Sequence, residues 1–197
     1  RLDADSDTLY LSDAGGKDVD SLFFTWQDMD HSFGRGSGDA WYLFDEPTPG
    51  WDNDTEAYFG YSDNQLIFSR PGGRFSDPFE LTITPGDPRD TIYFTTDGTV
   101  PDTGDNVYES PLAISNNTVI RARIYQSGYL PARTAVQSYV MQSHDGLPLL
   151  SLTTDPYNFW DHQYGIYAMG PGAEDNFPHF GANFWNDWER PVHLEMY

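Results

Sequence analysis

The sequence contains no cysteine and only one lysine, Lys17. The lack of cysteine excludes disulfide bonds, thiolate metal sites and cysteine nucleophiles. Apolar runs stay well below the roughly 18 residues that a membrane-spanning helix needs, so membrane insertion is not expected. The apolar spacing of long amphipathic helices is also hard to find, which favours strands over helices.

The common local motifs of catalysis are missing as well. The sequence has no G-x-S-x-G elbow and no G-x-x-x-x-G-K-[ST] phosphate loop. The histidines form no H-x-x-x-H pair of the kind that binds zinc; they are His31, His144, His162, His179 and His193. No catalytic or cofactor-binding residue is therefore predicted.

The charge is strongly one-sided, because 31 acidic residues face 10 basic ones and the net charge is −21. Such a surface repels nucleic acid and anionic membranes, so neither is an expected partner. It attracts cations instead. Two interpretations stay open: adaptation of the surface to a marine or saline habitat, and specific calcium sites.

Two loops gather the oxygen ligands that Ca²⁺ prefers, "DNDTEAYFGYSDN" (52–64) and "DGTVPDTGDN" (97–106). The candidate calcium ligands are Asp52, Asp54, Asp63, Asp97, Asp102 and Asp105. A third stretch, "DADSDT" (3–8), begins like an EF-hand loop. Thr8 stands where that loop needs glycine and Ala14 where it needs a bidentate glutamate, which favours a solvated turn.

Short segments of alternating polarity, separated by Gly- and Pro-rich turns, predict β-sandwich modules. The predicted strands are 8–13 and 19–24, joined by the turn "AGGK", and then 79–84, 91–98, 118–125, 136–141 and the apolar run from 147. A short helix is expected behind a Thr154 or Asp155 cap with Pro156. "GIYAMG" (165–170) is predicted as a strand, and "VHLEMY" (192–197) as a terminal strand.

Aromatic residues make up 16% of the chain. Most are expected in the core, but exposed rings stack well on the apolar faces of sugars. The candidates for such a platform are Trp26, Trp41, Trp51, Trp160, Trp185, Trp188, Tyr58 and Tyr61.

Three parts of the chain resemble known families. The first carries "LYLSDAGG", "VDSL", "SFGR" (32–35) and "PTPG" (47–50), and resembles the second half of a lamin-tail domain of the bacterial secreted type. This resemblance implies an immunoglobulin-like sandwich with further strands outside the chain. The second, over 70–141, contains "IYFTTDGTVP" and "NTVIRARIYQSGYLPA" and resembles the fibronectin type III-associated, chitobiase C-terminal-like domain. That module accompanies catalytic domains and is not itself catalytic.

The last segment, with "LPLLSLTTDPYNFWDHQYGIYAMG" and "NDWERPVHLEMY", resembles the opening of the CotH kinase-like family. The resemblance implies the start of an atypical protein-kinase-like fold whose ATP-binding and catalytic residues lie beyond the matched portion. The predicted fold class is mainly β, with tandem immunoglobulin-like β-sandwich modules followed by the opening strands of an α+β domain. The predicted domains are 1–55, a linker over 56–69, then 70–142 and 147–197.

The chain begins Arg1-Leu2-Asp3 without methionine and ends in a strand pattern, which predicts an internal piece of a longer secreted bacterial protein. The leading hypothesis is a non-catalytic extracellular or cell-surface module for adhesion, assembly or glycan contact. Its expected partners are other copies, surface proteins or polysaccharide. The alternatives are the N-terminal region of a secreted CotH-like kinase, and a subunit of a surface filament formed by strand addition.

Overall fold

The computed structural model describes residues 5–28, 30–36, 38, 40–62, 65–131, 133–141 and 146–197. It is 38% strand and 4% helix, which confirms the predicted mainly β class. The chain divides into two compact units. Unit 1 comprises Arg1–Tyr61 and Ser127–Leu130, and unit 2 comprises Ser62–Gln126 and Pro131–Tyr197. The predicted domain boundaries remain predictions.

Unit 1 is built from two antiparallel hairpins. Strands β1 (Ser6–Ser12) and β2 (Asp18–Thr25) form the first, and β3 (Ser32–Arg35) and β4 (Trp41–Phe44) form the second. The "AGGK" turn joins β1 to β2 as predicted. In that turn the Asp13 carboxylate accepts hydrogen bonds from two following backbone amides, which fixes the reversal of the chain.

The core of unit 1 is small. Among its described residues only Leu43, Phe44 and Leu130 are buried apolar side chains. Leu130 reaches this core through a parallel bridge to Tyr61, and the Leu130 amide donates to the carbonyl of Gly60 at 2.9 Å. The second piece of unit 1, Ser127–Leu130, is therefore part of its packing.

Unit 2 contains a sandwich of short strands. They are β5 (Leu66–Phe68), β6 (Gly73–Arg74), β7 (Phe79–Leu81), β8 (Ile83–Pro85), β9 (Thr91–Thr95), β10 (Asn106–Val107), β11 (Leu112–Ile114), β12 (Thr118–Tyr125) and β13 (Ala135–Val140). One sheet has the order β10-β9-β12-β13-β6, with only the β13–β6 pair parallel. The pairs β5–β8 and β7–β11 lie outside that sheet.

The core of unit 2 follows from strand periodicity. Along β12, Ile120, Ala122 and Ile124 are buried while the residues between them are half-buried. These residues belong to one buried cluster with side chains of the other strands. Its other members are Leu81 of β7, Ile83 of β8, Ile92 of β9, Ile114 of β11 and Tyr139 of β13. Side chains from both sets of strands therefore share one hydrophobic layer.

The rest of unit 2 holds α1 (Pro156–Trp160) and an antiparallel ribbon of β14 (Leu150–Thr153) and β15 (His193–Met196). The ribbon turns its polar face to the sandwich, where Ser151 and Ser138 hydroxyls lie 2.8 Å apart and Glu195 accepts from the Ser138 amide at 3.3 Å. Its other face is open. That face consists of the cross-strand pairs Leu150–Met196 and Leu152–Leu194, whose side chains are 56–74% exposed.

The structure agrees with some local predictions and differs from others. The strand predicted over 165–170 is wrong, because the amides of Ile166 and Tyr167 donate to carbonyls of α1 and leave no strand partner. The terminal strand and the capped helix are confirmed. The start of the predicted turn at 3–8 lies outside the described residues, and its end is wrong, because Ser6, Asp7 and Thr8 belong to β1. Of the described residues, no helix has the length and apolarity needed to cross a membrane.

Candidate functional site

The candidate site begins with the cap of α1. The Asp155 side chain accepts from the Tyr157 amide at 2.9 Å, and Pro156 occupies the first helical turn. The helix stops after one turn because Asp161 takes an extended backbone conformation. The Asp161 carboxylate then accepts from the amides of Gln163 and Tyr164, at 2.8 and 2.9 Å, which turns the chain back.

The returning chain lies directly against α1. The amide of Ile166 donates to the Asn158 carbonyl and that of Tyr167 to the Phe159 carbonyl, each at 2.9 Å. A Cβ atom at Gly165 would come within 2.6 Å of the backbone of Asp161 and of Phe159. This close approach requires glycine at position 165.

The fold-back brings five aromatic side chains together. We call Tyr157, Phe159, Trp160, Tyr164 and Tyr167 the aromatic cluster. The ring centroids of Tyr157 and Tyr164 lie 5.9 Å apart, and those of Trp160 and Tyr167 lie 5.7 Å apart. Phe159 extends the second pair, with its centroid 5.3 Å from that of Tyr167 and 6.0 Å from that of Trp160.

Four rings of the aromatic cluster face solvent. Tyr157 and Tyr164 are each 51% exposed, Tyr167 is 66% exposed and Trp160 is 67% exposed. The rings are tilted by 30–41° within each pair, so they form an uneven apolar surface that carries three phenols and an indole. Such a surface presents ring faces to apolar C–H groups and polar ends to hydroxyl groups.

One buried amide side chain supports the loop of the aromatic cluster. Asn183 is 3% exposed, and its side-chain NH₂ donates to the carbonyls of His162 and Gly165 at 3.0 and 3.1 Å. The backbone amide of Asn183 donates to the Met169 carbonyl at 3.0 Å. Sequence reasoning missed Asn183, because nothing in the pattern around it distinguishes a structural asparagine from a loop asparagine.

A second set of contacts ties α1 to the sandwich. The other carboxylate oxygen of Asp155 accepts from the Val100 amide at 3.2 Å, and Arg121 donates to the Gly98 carbonyl at 2.7 Å. Burial lowers the pKa of Arg121, and the nearby Asp155 carboxylate opposes that shift. The cap of α1 is thus hydrogen-bonded to the loop that follows β9 of the sandwich.

The remaining platform candidates of unit 2, Trp185 and Trp188, contact different residues. Trp185 packs at 5.6 Å from Phe180 and donates through its indole N–H to the Pro178 carbonyl at 3.1 Å. Trp188 lies under the guanidinium of Arg190, which is 5.0 Å from the ring centroid. Both are partly exposed, so neither is a core residue.

The aromatic platform candidates of unit 1 also differ in their surroundings. Trp26 and Tyr61 contact each other, with centroids 5.2 Å apart. Trp41 lies under Arg35 at 5.1 Å, while Trp51 is 85% exposed in a turn. Burial first, then a hydrogen bond to Glu56 and the charge of Asp45, raises the pKa of Tyr58 to about 12.

The calcium candidates of unit 2 serve their own turns. The Asp97 carboxylate accepts from the amide and hydroxyl of Thr99, and these bonds lower its pKa. Asp102 accepts from the Gly104 amide at 2.6 Å, and Asp105 accepts from the Asp102 amide at 2.8 Å. A carboxylate that caps a turn keeps free lone pairs, so these bonds are compatible with a cation.

Asp52 and Asp54 of unit 1 are exposed, and Asp63 lies outside the described residues. Within the described ranges, no group of three or more histidine, aspartate or glutamate side chains is placed to hold a metal ion. Calcium binding stays a prediction.

The fold defines a mainly β chain of small sheets, consistent with immunoglobulin-like sandwich modules. Residues 70–137, about a third of the chain, match the family of chitobiase/beta-hexosaminidase C-terminal domains. The match confirms the resemblance noted for this segment, while those to lamin-tail and CotH kinase-like domains remain predictions. Comparison with curated proteins and with solved structures gave no significant match.

Proposed function

We propose that this chain is a non-catalytic module of an extracellular or cell-surface protein, and that it contacts glycans through the aromatic cluster. The observation that carries the proposal is the exposure of Tyr157 and Trp160 on α1, and of Tyr164 and Tyr167 on the loop that folds back on it and is held by Asn183. Exposed aromatic rings in soluble proteins mark ligand surfaces when they occur as a group. A rigid support keeps the rings in place before the ligand arrives.

The family match supports carbohydrate as the ligand class. The matched family is named for two glycoside hydrolases, chitobiase and β-hexosaminidase. The cluster follows the matched segment in the chain and belongs to the same compact unit. The net charge of −21 disfavours acidic polymers, so a neutral polysaccharide is the expected partner.

The test is co-sedimentation with insoluble chitin and cellulose. The wild-type chain is expected to bind at least one of them, and the double variant Trp160→Ala with Tyr167→Ala is expected to bind about tenfold more weakly, since two stacking rings are lost. Tyr10→Ala is the control, because Tyr10 is an exposed ring of the other unit and is not a platform candidate. Absence of wild-type binding, or equal binding by the double variant, would overturn the proposal.

A second candidate is that residues 147–197 open a larger, CotH kinase-like domain. The supporting observation is the ribbon of β14 and β15, whose apolar face is open while its polar face contacts the sandwich. An apolar sheet face is normally covered by another layer. On this reading Leu152 and Leu194 are core residues of the longer protein.

This second candidate is tested with Leu152→Thr and Leu194→Thr, made both in this chain and in a longer natural chain. In this chain the pair is expected to change stability by less than about 0.5 kcal/mol, as for exposed positions. In the longer chain it should cost several kcal/mol as a core substitution. Equal small effects in both would contradict the second candidate. Mg²⁺-ATP is expected not to bind this chain in calorimetry.

A further inference from the structure

A groove in unit 1 is separate in sequence from the aromatic cluster. Its cavity volume is about 290 Å³. Its lining is dominated by aromatic side chains, and all of its lining residues belong to Arg1–Tyr61. The aromatic residues are Phe23, Trp26, Phe33, Phe59 and Tyr61.

The groove has a fixed floor and an open rim. Leu43, at 7% exposure, forms the floor, while Phe23 and Phe59 are 61% and 70% exposed at the rim. Thr25 and Gln27, whose side chains carry a hydroxyl and an amide, also line the groove. The site therefore combines apolar ring faces with two neutral polar groups.

One wall is held in place by hydrogen bonds. The Tyr61 hydroxyl accepts from the Asp28 amide at 2.9 Å and lies 2.7 Å from Nδ1 of His31. The His31 ring stacks on Tyr61 with centroids 5.6 Å apart, and Trp26 packs against the same tyrosine. Hydrogen bonding at its hydroxyl and ring contacts with His31 and Trp26 therefore hold Tyr61 in this wall.

We propose that this groove binds one neutral sugar ring of a soluble oligosaccharide. The ligand class rests on the proposed function, and the position rests on the groove itself. A cavity of this size lies at the lower end of small-molecule sites, roughly 300–1,000 Å³, which limits the ligand to about one ring. The C–H face of a pyranose fits the Trp26–Tyr61 wall, and its hydroxyl edge fits Thr25 and Gln27.

Charge favours a neutral ligand over an anionic one. The described lining residues carry no cation, and the chain as a whole has a net charge of −21. An acidic sugar would lose solvation and meet repulsion without an ion pair in return. Neutral oligosaccharides are therefore the expected ligands.

The test is saturation-transfer and amide NMR with chitotriose, cellotriose and an oligogalacturonate. At least one neutral trisaccharide is expected to bind at about millimolar affinity and to shift amide signals of residues 23–27 and 59–61. Trp26→Ala is expected to weaken binding about tenfold by removing the stacking face, and Trp26→Phe to restore most of it. Tyr10→Ala, at an exposed ring outside the lining, should change nothing.

The outcomes separate this inference from the proposed function. Loss of binding to insoluble polysaccharide in the Trp160/Tyr167 variant, with no shift at 23–27, would uphold the proposed function and overturn the groove. Sugar binding at the groove without any binding to insoluble polysaccharide would uphold the groove and overturn the proposed function of the aromatic cluster. Binding of an apolar dye, but of no sugar, at the groove would overturn the sugar assignment, as would equal binding of the oligogalacturonate. An amide spectrum of each variant verifies that it is folded.

Discussion

The side chain of Asn183 holds the loop on which Tyr164 and Tyr167 are carried. Asn183→Ala removes two hydrogen bonds to loop carbonyls, of which the bond to Gly165 is buried and the bond to His162 is partly buried. We expect a loss of about 1–3 kcal/mol in the free energy of unfolding. Urea denaturation measures this loss. Polysaccharide affinity should fall as well, although Asn183 is not in the cluster.

The control for this substitution is Asn186→Ala, three residues further along the same chain and exposed. It should leave both stability and binding unchanged. If Asn183→Ala were as stable as wild type and bound as well, the loop would not depend on these hydrogen bonds.

Tyr139 links stability to alkaline pH. Its ring is fully buried in the core, its hydroxyl donates to the Arg70 carbonyl at 2.9 Å, and burial followed by the charges of Tyr197 and Glu195 raises its pKa. The fold therefore favours the neutral phenol over the phenolate. This contribution is fully present below the unfolded-state pKa of about 10 and is lost as pH rises through the folded-state pKa.

Accordingly, we expect unfolding on alkaline titration above about pH 10, with a late increase of tyrosinate absorbance as the circular dichroism signal is lost. Tyr139→Phe should lower stability at neutral pH by about 1 kcal/mol, because the Arg70 carbonyl loses its donor. The difference from wild type should shrink as pH rises. Ionisation of every tyrosine near its ordinary pKa with the fold intact would contradict this.

At the scale of elements, the strands with clear alternation were predictable. In β12 the period of two is complete, and the structure buries Ile120, Ala122 and Ile124 as the pattern requires. The segment 165–170 shows the limit of such reasoning. Its apolar residues have the pattern of a strand. Gly165, however, allows the chain to approach α1 so closely that the amides of Ile166 and Tyr167 donate to carbonyls of the helix.

The candidate site was only partly predictable for a related reason. Sequence reasoning named Trp160 as a platform residue but left out Tyr157, Tyr164 and Tyr167. These rings meet because the chain reverses at Asp161, and a one-turn helix leaves no periodic signal. Likewise, the pairing of β14 with β15 joins segments about forty residues apart, and no local pattern predicts which face is left open.

At the scale of the whole molecule, the charge of −21 dominates. Mutual repulsion opposes the compact state, and salt screens it over a distance that falls from about 30 Å at 0.01 M to about 3 Å at 1 M. The Tm is therefore expected to rise with sodium chloride in differential scanning calorimetry. A Tm independent of salt would mean that the charges are too widely spread to repel strongly.

The calcium prediction is tested at constant ionic strength, so that screening does not contribute. If Ca²⁺ bridges the loop of Asp102 and Asp105, EDTA should lower the Tm and added calcium should restore it. The double variant Asp102→Asn with Asp105→Asn keeps the oxygen atoms that accept hydrogen bonds in the turn but removes two charges. It should abolish the response to calcium. A Tm unaffected by EDTA in the wild type would refute structural calcium.

The two-part composition of unit 1 has a consequence for how this chain is made. Leu130 is one of its few buried apolar side chains, yet it is translated long after Tyr61, its bridge partner. When residue 61 has been added to the growing chain, the segment Ser127–Leu130, which completes the core of unit 1, has not yet been synthesised. The hairpins of unit 1 must then wait through most of the synthesis of the sandwich strands, exposed to chaperones and proteases, before their core can close.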